Sequence, residues 1–157
     1  MSTTIKLARI DQRLLHSTVA LNWNQVVNTN YTIIVDPSYC KDDFIIKVMQ
    51  LCLPEPMKVK IFSVEELIAF IKEDSTKKRN LMIIFKNLTI AKNAVEAGFK
   101  IKEIQIPYPA SRIVIKKLSD YFNEEEIEHI RFIQNKGIKL FFQTAPLDNK
   151  EYSVFTK

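Results

Sequence analysis

From Ile5 to Phe142 the chain alternates short β-branched runs with longer segments whose apolar residues recur every three or four positions. That alternation constrains the fold more than any other feature, because strand–helix–strand repeats close only as βαβ units. Ile5 to Ile10 reads as a first strand, followed by a helix from about Leu14 to Val27 with Leu15, Val19 and Trp23 on one face. Thr32 to Val35 is nearly all β-branched and fits a strand buried on both faces. A second helix spans about Lys41 to Leu51, and Leu53-Pro54-Glu55-Pro56 ends it. Lys58 to Phe62 is a third strand, and Ser63 with Glu66 has the spacing of a capping box opening the next helix. Leu81 to Phe85 is a fourth strand, Thr89 to Ala97 a helix stopped by Gly98, and Ile101 to Ile106 a fifth strand. Asn123 opens a last helix closed by Gly137, before a final strand from Ile138 to Phe142. Arg112 to Phe122 fits an antiparallel edge strand or hairpin. The expected architecture is one α/β domain over residues 1–157, with an open, mainly parallel, twisted sheet and helices on both faces.

At 157 residues the chain is long enough to bury a core without metal or disulfide staples. Glycine occurs only twice, where average usage of about 7% would give roughly eleven. Phosphate loops built on clustered glycines are thereby excluded, since only glycine lets the backbone close on phosphate without a Cβ clash. Cys40 and Cys52 form no C-x-x-C pair and read as small buried hydrophobes; no metal site and no cofactor is expected. No apolar run is long enough to span a bilayer, and Met1 to Lys6 lacks the apolar region of a secretory signal, so a cytoplasmic protein is expected. The net charge of +5 is spread along the chain. Its one tight cluster, Lys77-Lys78-Arg79, reads as a solvated turn rather than a nucleic-acid footprint, so no nucleic-acid partner is expected.

Ligands of open α/β sheets bind beyond the carboxyl ends of the strands. The first such loop, Arg9 to His16, brings two guanidiniums, a carboxylate and an imidazole within eight residues. Arg9 and Arg13 suit a phosphate held bidentately, with the N-terminus of the following helix adding positive charge. His16 titrates near neutrality and is a competent nucleophile when unprotonated, and Asp11 could orient its ring. The same residues also read as ordinary Arg9–Asp11–Arg13 ion pairs beside a polar histidine at a helix start, and spacing alone does not separate the two. His129, four residues after Glu125, reads as a surface i,i+4 partner.

The stretch from Ala8 to Trp23, ARIDQRLLHSTVALNW, resembles the R-I-D-x-R-L-x-H segment of the IIB components of the mannose/fructose/sorbose class of bacterial phosphotransferase systems. Matched are Arg9, Ile10, Asp11, Arg13, Leu14, His16, Val19 and Trp23. The likeness extends along the chain through Ile33 to Asp36, the stretch around Gly98, the Asn123 helix opening and the segment around Gly137. The resemblance implies a phosphocarrier that accepts a phosphoryl group on His16 from a phosphohistidine of a IIA protein or domain. It then passes the group to a sugar presented by the IIC/IID membrane subunits, which would hold the protein at the membrane periphery. Asp11 becomes the orienting group, with Arg9, Arg13 and Ser17 around the phosphate. A homodimer is compatible with the sequence, which does not fix the oligomeric state.

Two departures from the family pattern stand out. Ser17-Thr18 replaces the usual Gly-Gln after the histidine, and Pro107-Tyr108-Pro109 stands where the family tends to carry a glycine pair. The prolines remove amide donors. Tyr108 then becomes a neighbour of His16, and Arg112 a candidate to restore the lost positive charge. These departures also frame a second reading, a IIB-like binding or regulatory module that docks to IIA or the membrane subunits with little transfer.

Overall fold

The computed structural model describes residues 3–13, 23, 26–51, 53, 57–73, 76–109, 111 and 113–157. In chain order the elements are β1 (Thr3–Ile10), β2 (Tyr31–Val35), α1 (Asp43–Leu51), β3 (Lys58–Phe62), α2 (Val64–Lys72) and β4 (Arg79–Phe85). They continue with α3 (Leu88–Glu96), β5 (Glu103–Ile106), α4 (Glu124–Asn135) and β6 (Lys139–Phe142). Between β1 and β2, residues Trp23, Val26 and Val27 have helical backbone.

The six strands form one sheet in the order β3-β2-β4-β1-β5-β6, with every pairing parallel. All six carboxyl ends therefore lie along one edge. Successive side chains of a strand point to opposite faces, so each strand feeds two cores. On one face Ala8, Ile10, Ile83, Phe85, Ile106 and Phe142 pack under α2, α3 and α4. On the other, Ile34, Val59 and Ile61 meet Ile45, Ile46 and Met49 of α1. Trp23 lies beside them on Met82 and Ile84, with Leu7 packed against the group. Residues Thr32 to Val35 have no exposed surface, as expected of a strand covered on both faces.

Local chemistry sets the helix ends. Ser63 and Glu66 form a reciprocal capping box on α2, and Asn123 and Glu126 form one on α4. Asn87 accepts the Ile90 amide at 2.9 Å to cap α3. After α3 and α4, Gly98 and Gly137 sit at φ +112° and +85°, a left-handed region where a Cβ is strained.

Three expectations are corrected. Residues 113–122 contain no strand, and the antiparallel pairing among the described residues is a single bridge between Phe142 and Glu151. The physical reason is that the Lys116 and Lys117 amides both donate to Asp120 Oδ2, at 2.9 and 3.1 Å, and are spent on a 3-10 turn over Leu118–Asp120. Arg79 is not part of a solvated turn. It is 5% exposed, donates to the Phe70 and Glu73 carbonyls at 2.8 and 3.1 Å, and lies 4.0 Å over the Phe70 ring. Cys40 is half-buried rather than buried, with its Sγ donating to the Pro37 carbonyl at 3.4 Å; Cys52 lies outside the described residues.

Candidate functional site

The alternation along β1 puts Ala8 and Ile10 on the three-helix face and Leu7 and Arg9 on the Trp23 face. Arg9 is thereby drawn inside, 1% exposed, with its guanidinium 6.0 Å from the Trp23 ring. Its Nη1 donates to Gln105 Oε1 at 2.9 Å and to the Thr144 carbonyl at 3.5 Å. Its Nε and Nη2 donate to Asp11 Oδ2 at 3.2 and 3.0 Å.

Asp11 follows the last residue of β1, and its amide donates to the Phe85 carbonyl at the end of β4. Its Oδ1 accepts the Arg13 amide at 3.0 Å, a side-chain turn that bends the chain out of the sheet. The Arg13 guanidinium folds back onto the same carboxylate, Nε to Oδ1 and Nη2 to Oδ2, both at 3.0 Å. Among the described residues Asp11 accepts five hydrogen bonds, all from Arg9 and Arg13. Burial alone would raise its carboxyl, yet the hydrogen bonds from Arg13 and both guanidinium charges together hold it below its ordinary range. Burial lowers the Arg9 guanidinium, with Asp11 partly offsetting it, and the Asp11 hydrogen bond raises that of Arg13.

The two arginines differ in reach. Arg13 is half-exposed and lines a crevice of about 540 Å³ beyond the carboxyl ends of β1, β4 and β5; Arg9 lies beneath Asp11 and does not line it. Among the described residues Arg13 Nη1 has no hydrogen-bond partner, so this guanidinium can hold Asp11 and still offer N–H groups to an anion. Two guanidiniums against one carboxylate leave one net positive charge at the crevice floor.

The other walls come from neighbouring strand ends. β1 and β5 are parallel neighbours with Arg9 opposite Gln105, so Pro107-Tyr108-Pro109 leaves the sheet beside Asp11 and lines the same crevice. The Tyr108 ring stacks on Phe142 at 4.9 Å and 19°, and its amide donates to Thr144 Oγ1 at 2.9 Å. Burial, with Glu151 and Asp148 nearby, raises the Tyr108 phenol. His16, Ser17 and Arg112 lie outside the described residues, and with them the separation of Tyr108 from His16. His129 is more enclosed than a surface residue, its side chain 16% exposed and Nε2 3.4 Å from Glu125 Oε1.

Lys86 is a crevice residue that sequence reasoning missed. It follows the last residue of β4, and its Nζ lies 3.5 Å from the buried Asp36 Oδ2 beyond the end of the adjacent β2. Its signal was available only in part: both residues follow apolar runs, but their adjacency depends on a strand order that periodicity does not encode. Thr144, Tyr121 and Glu126 also line the crevice, from segments the motif does not reach.

Comparison with known proteins places this geometry. The family model of the PTS system sorbose subfamily IIB component matches residues 5–154, and the chain belongs to that family. It is 28% identical over 153 residues to the N-acetylgalactosamine-specific phosphotransferase enzyme IIB component 1 of Escherichia coli K12, covering 96% of each chain. It is 26% identical over 148 residues to the mannose-specific EIIAB component of the same strain, covering 93% of this chain but only 46% of that longer protein. The crystal structure of the IIBSor domain of the sorbose permease from Klebsiella pneumoniae superposes with a TM-score of 0.80 at 25% identity, over 96% of this chain and 94% of that one. No helix among the described residues is long and apolar enough to cross a membrane.

Proposed function

We propose that this chain is the phosphocarrier of a sugar phosphotransferase system, taking a phosphoryl group onto His16 from a IIA phosphohistidine. In the first step the unprotonated imidazole nitrogen supplies the electron pair for a new N–P bond while the donor's N–P bond breaks. In the second, a sugar hydroxyl held by the IIC/IID membrane subunits attacks phosphorus, the His16 N–P bond breaks, and the hydroxyl proton is released. The protein itself works from the cytoplasm, at the membrane through these partners.

The observation that carries the reading is the Asp11 clamp. It fixes Arg13 at the floor of a crevice bounded by three strand ends, three residues before His16 in the chain. Arg13 stabilises the negative charge of the transferring group, Asp11 aims Arg13, and Arg9 supports Asp11 from beneath. This ordering refines the resemblance, in which both arginines touch phosphate and Asp11 orients the histidine. Ser17 can donate its hydroxyl to the phosphate.

The test is to incubate the protein with the general phosphotransferase proteins, a cognate IIA and phosphoenolpyruvate, and to map acid-labile, alkali-stable phosphate. Label on the parent and none on His16→Ala is expected. Absent label, or label that survives His16→Ala, overturns the proposal; tight binding of IIA with negligible transfer would establish a docking module instead.

A further inference from the structure

We infer that Gln105 and Gln143, which lie outside the family motif, are positioning residues for phosphoryl transfer, an inference that rests on the carrier reading above. Both are buried, at 0% and 6% exposure, with Gln105 paired beside Arg9. A buried primary amide costs free energy unless its donors and acceptor are matched. Here they are matched in one direction. Arg9 Nη1 donates to Gln105 Oε1 at 2.9 Å, Gln105 Nε2 to Gln143 Oε1 at 3.0 Å, and Gln143 Nε2 to the Asp148 carbonyl at 2.8 Å. Donors and acceptors aligned head to tail polarise one another, so the ladder is stiffer than three separate contacts.

Its two ends explain what it holds. At one end Arg9 carries the Asp11–Arg13 clamp. At the other lies the turn after β6, where Asp148 Oδ2 accepts the Ala145 amide at 2.9 Å. Within that turn the Thr144 carbonyl accepts from Arg9 and from Trp23 Nε1, and Thr144 Oγ1 accepts the Tyr108 amide. Three walls of the crevice are therefore tied through one line of buried amides: the clamp after β1, the Tyr108 loop after β5 and the Thr144 turn after β6. Gln105 alone would suffice to satisfy Arg9. Gln143 is superfluous to that purpose, and its place in the line is what indicates that the β6 turn and the clamp are held in register.

The experiment measures the rate of His16 labelling against the concentration of phosphorylated IIA, for the parent, Gln105→Leu, Gln143→Leu and the control Ile130→Val. The control loosens the core on the opposite face of the sheet, away from the ladder. Displacing a catalytic group by about 1 Å costs about 10²-fold in rate. Gln105→Leu is therefore expected to transfer roughly 10- to 100-fold more slowly at saturating donor, with an unchanged KM. Gln143→Leu, in contact with neither clamp nor crevice floor, is expected to slow in the same direction, and Ile130→Val to keep the parent rate. Exchange of the Arg13 guanidinium Nε–H with solvent, followed by NMR, should quicken in both leucine variants. Should Gln105→Leu fail to fold, Gln143→Leu and this exchange carry the test. Parent-like saturated rates in the leucine variants, a slowing shared by Ile130→Val, or an effect confined to KM would overturn the ladder while leaving the carrier reading intact. An unlabelled parent would overturn both.

Discussion

Asp11 and Arg13 meet through two parallel hydrogen bonds, Nε to Oδ1 and Nη2 to Oδ2, each 3.0 Å long. Because Arg9 grips Oδ2 from the buried side, the carboxylate is shared between an interior cation and an exposed one.

Asp11→Asn keeps the shape of this junction and removes its charge, leaving Arg9 inside without a counter-ion. Removing one partner of a buried ion pair costs about 3–5 kcal/mol. Asparagine retains one acceptor oxygen, so a loss near the lower end of that range is expected. Urea unfolding at neutral pH measures it as a lower midpoint at unchanged slope; a parent-like midpoint would show that the clamp contributes nothing to stability.

Acid should act on the same residue. The Asp11 carboxyl titrates below its ordinary value of 3.8 in the folded protein. Its contribution is therefore fully present above the unfolded value and is lost as pH falls below about 3.8 through the folded one. Unfolding free energies measured between pH 2.5 and 6 should fall less steeply at the acid end for Asp11→Asn than for the parent. Parallel curves would contradict the assignment.

Tyr152 offers a spectroscopic check at the opposite extreme. Burial and a 2.5 Å hydrogen bond donated to Glu103 push its phenol up to about 12. The stabilisation is present below the ordinary tyrosine value and is lost as pH rises through the folded one. In an absorbance titration of the five tyrosines, the last to ionise should shift downward in Glu103→Gln.

The Pro107-Tyr108-Pro109 loop carries a trade-off. Tyr108→Gly with Pro109→Gly supplies the flexible backbone that the family resemblance favours, and faster labelling of His16 is expected. The same change deletes the Tyr108–Phe142 stack, and an aromatic pair contributes about 0.5–1.5 kcal/mol beyond its buried area. A lower melting temperature should accompany the faster rate. Labelling no faster than the parent would mean that the loop does not limit transfer.

The alternation of strands and helices was legible because each apolar run has the period of its own element, and the Ser63 and Asn123 caps announce themselves by spacing. The clamp was half legible. Arg9, Asp11 and Arg13 stand out in the sequence, but which guanidinium ends up buried depends on the covering of the Leu7 face by Trp23, a tertiary fact. Gln105 and Gln143 do carry a signal, as polar residues within β5 and directly after the apolar run of β6, yet their partnership requires knowing that those strands are neighbours. Ile113 to Ile115 misled for the complementary reason: β-branched residues favour extended backbone, but nothing in them reveals that Asp120 has already claimed the amides that follow.

The central place of β1 has a consequence for biosynthesis. The strand that carries the clamp is synthesised before the strands it pairs with, β4 and β5, and the partner of Arg9 lies 96 residues further on. At roughly 5–20 residues per second, Arg9 waits on the order of 5–20 s for Gln105 to be synthesised. Until then its guanidinium has neither that amide nor the closed sheet around it, and a nascent chain cut short of β5 cannot assemble the crevice. Assembly of the crevice is thus deferred until the strands that wall it, β1, β4 and β5, have all been made.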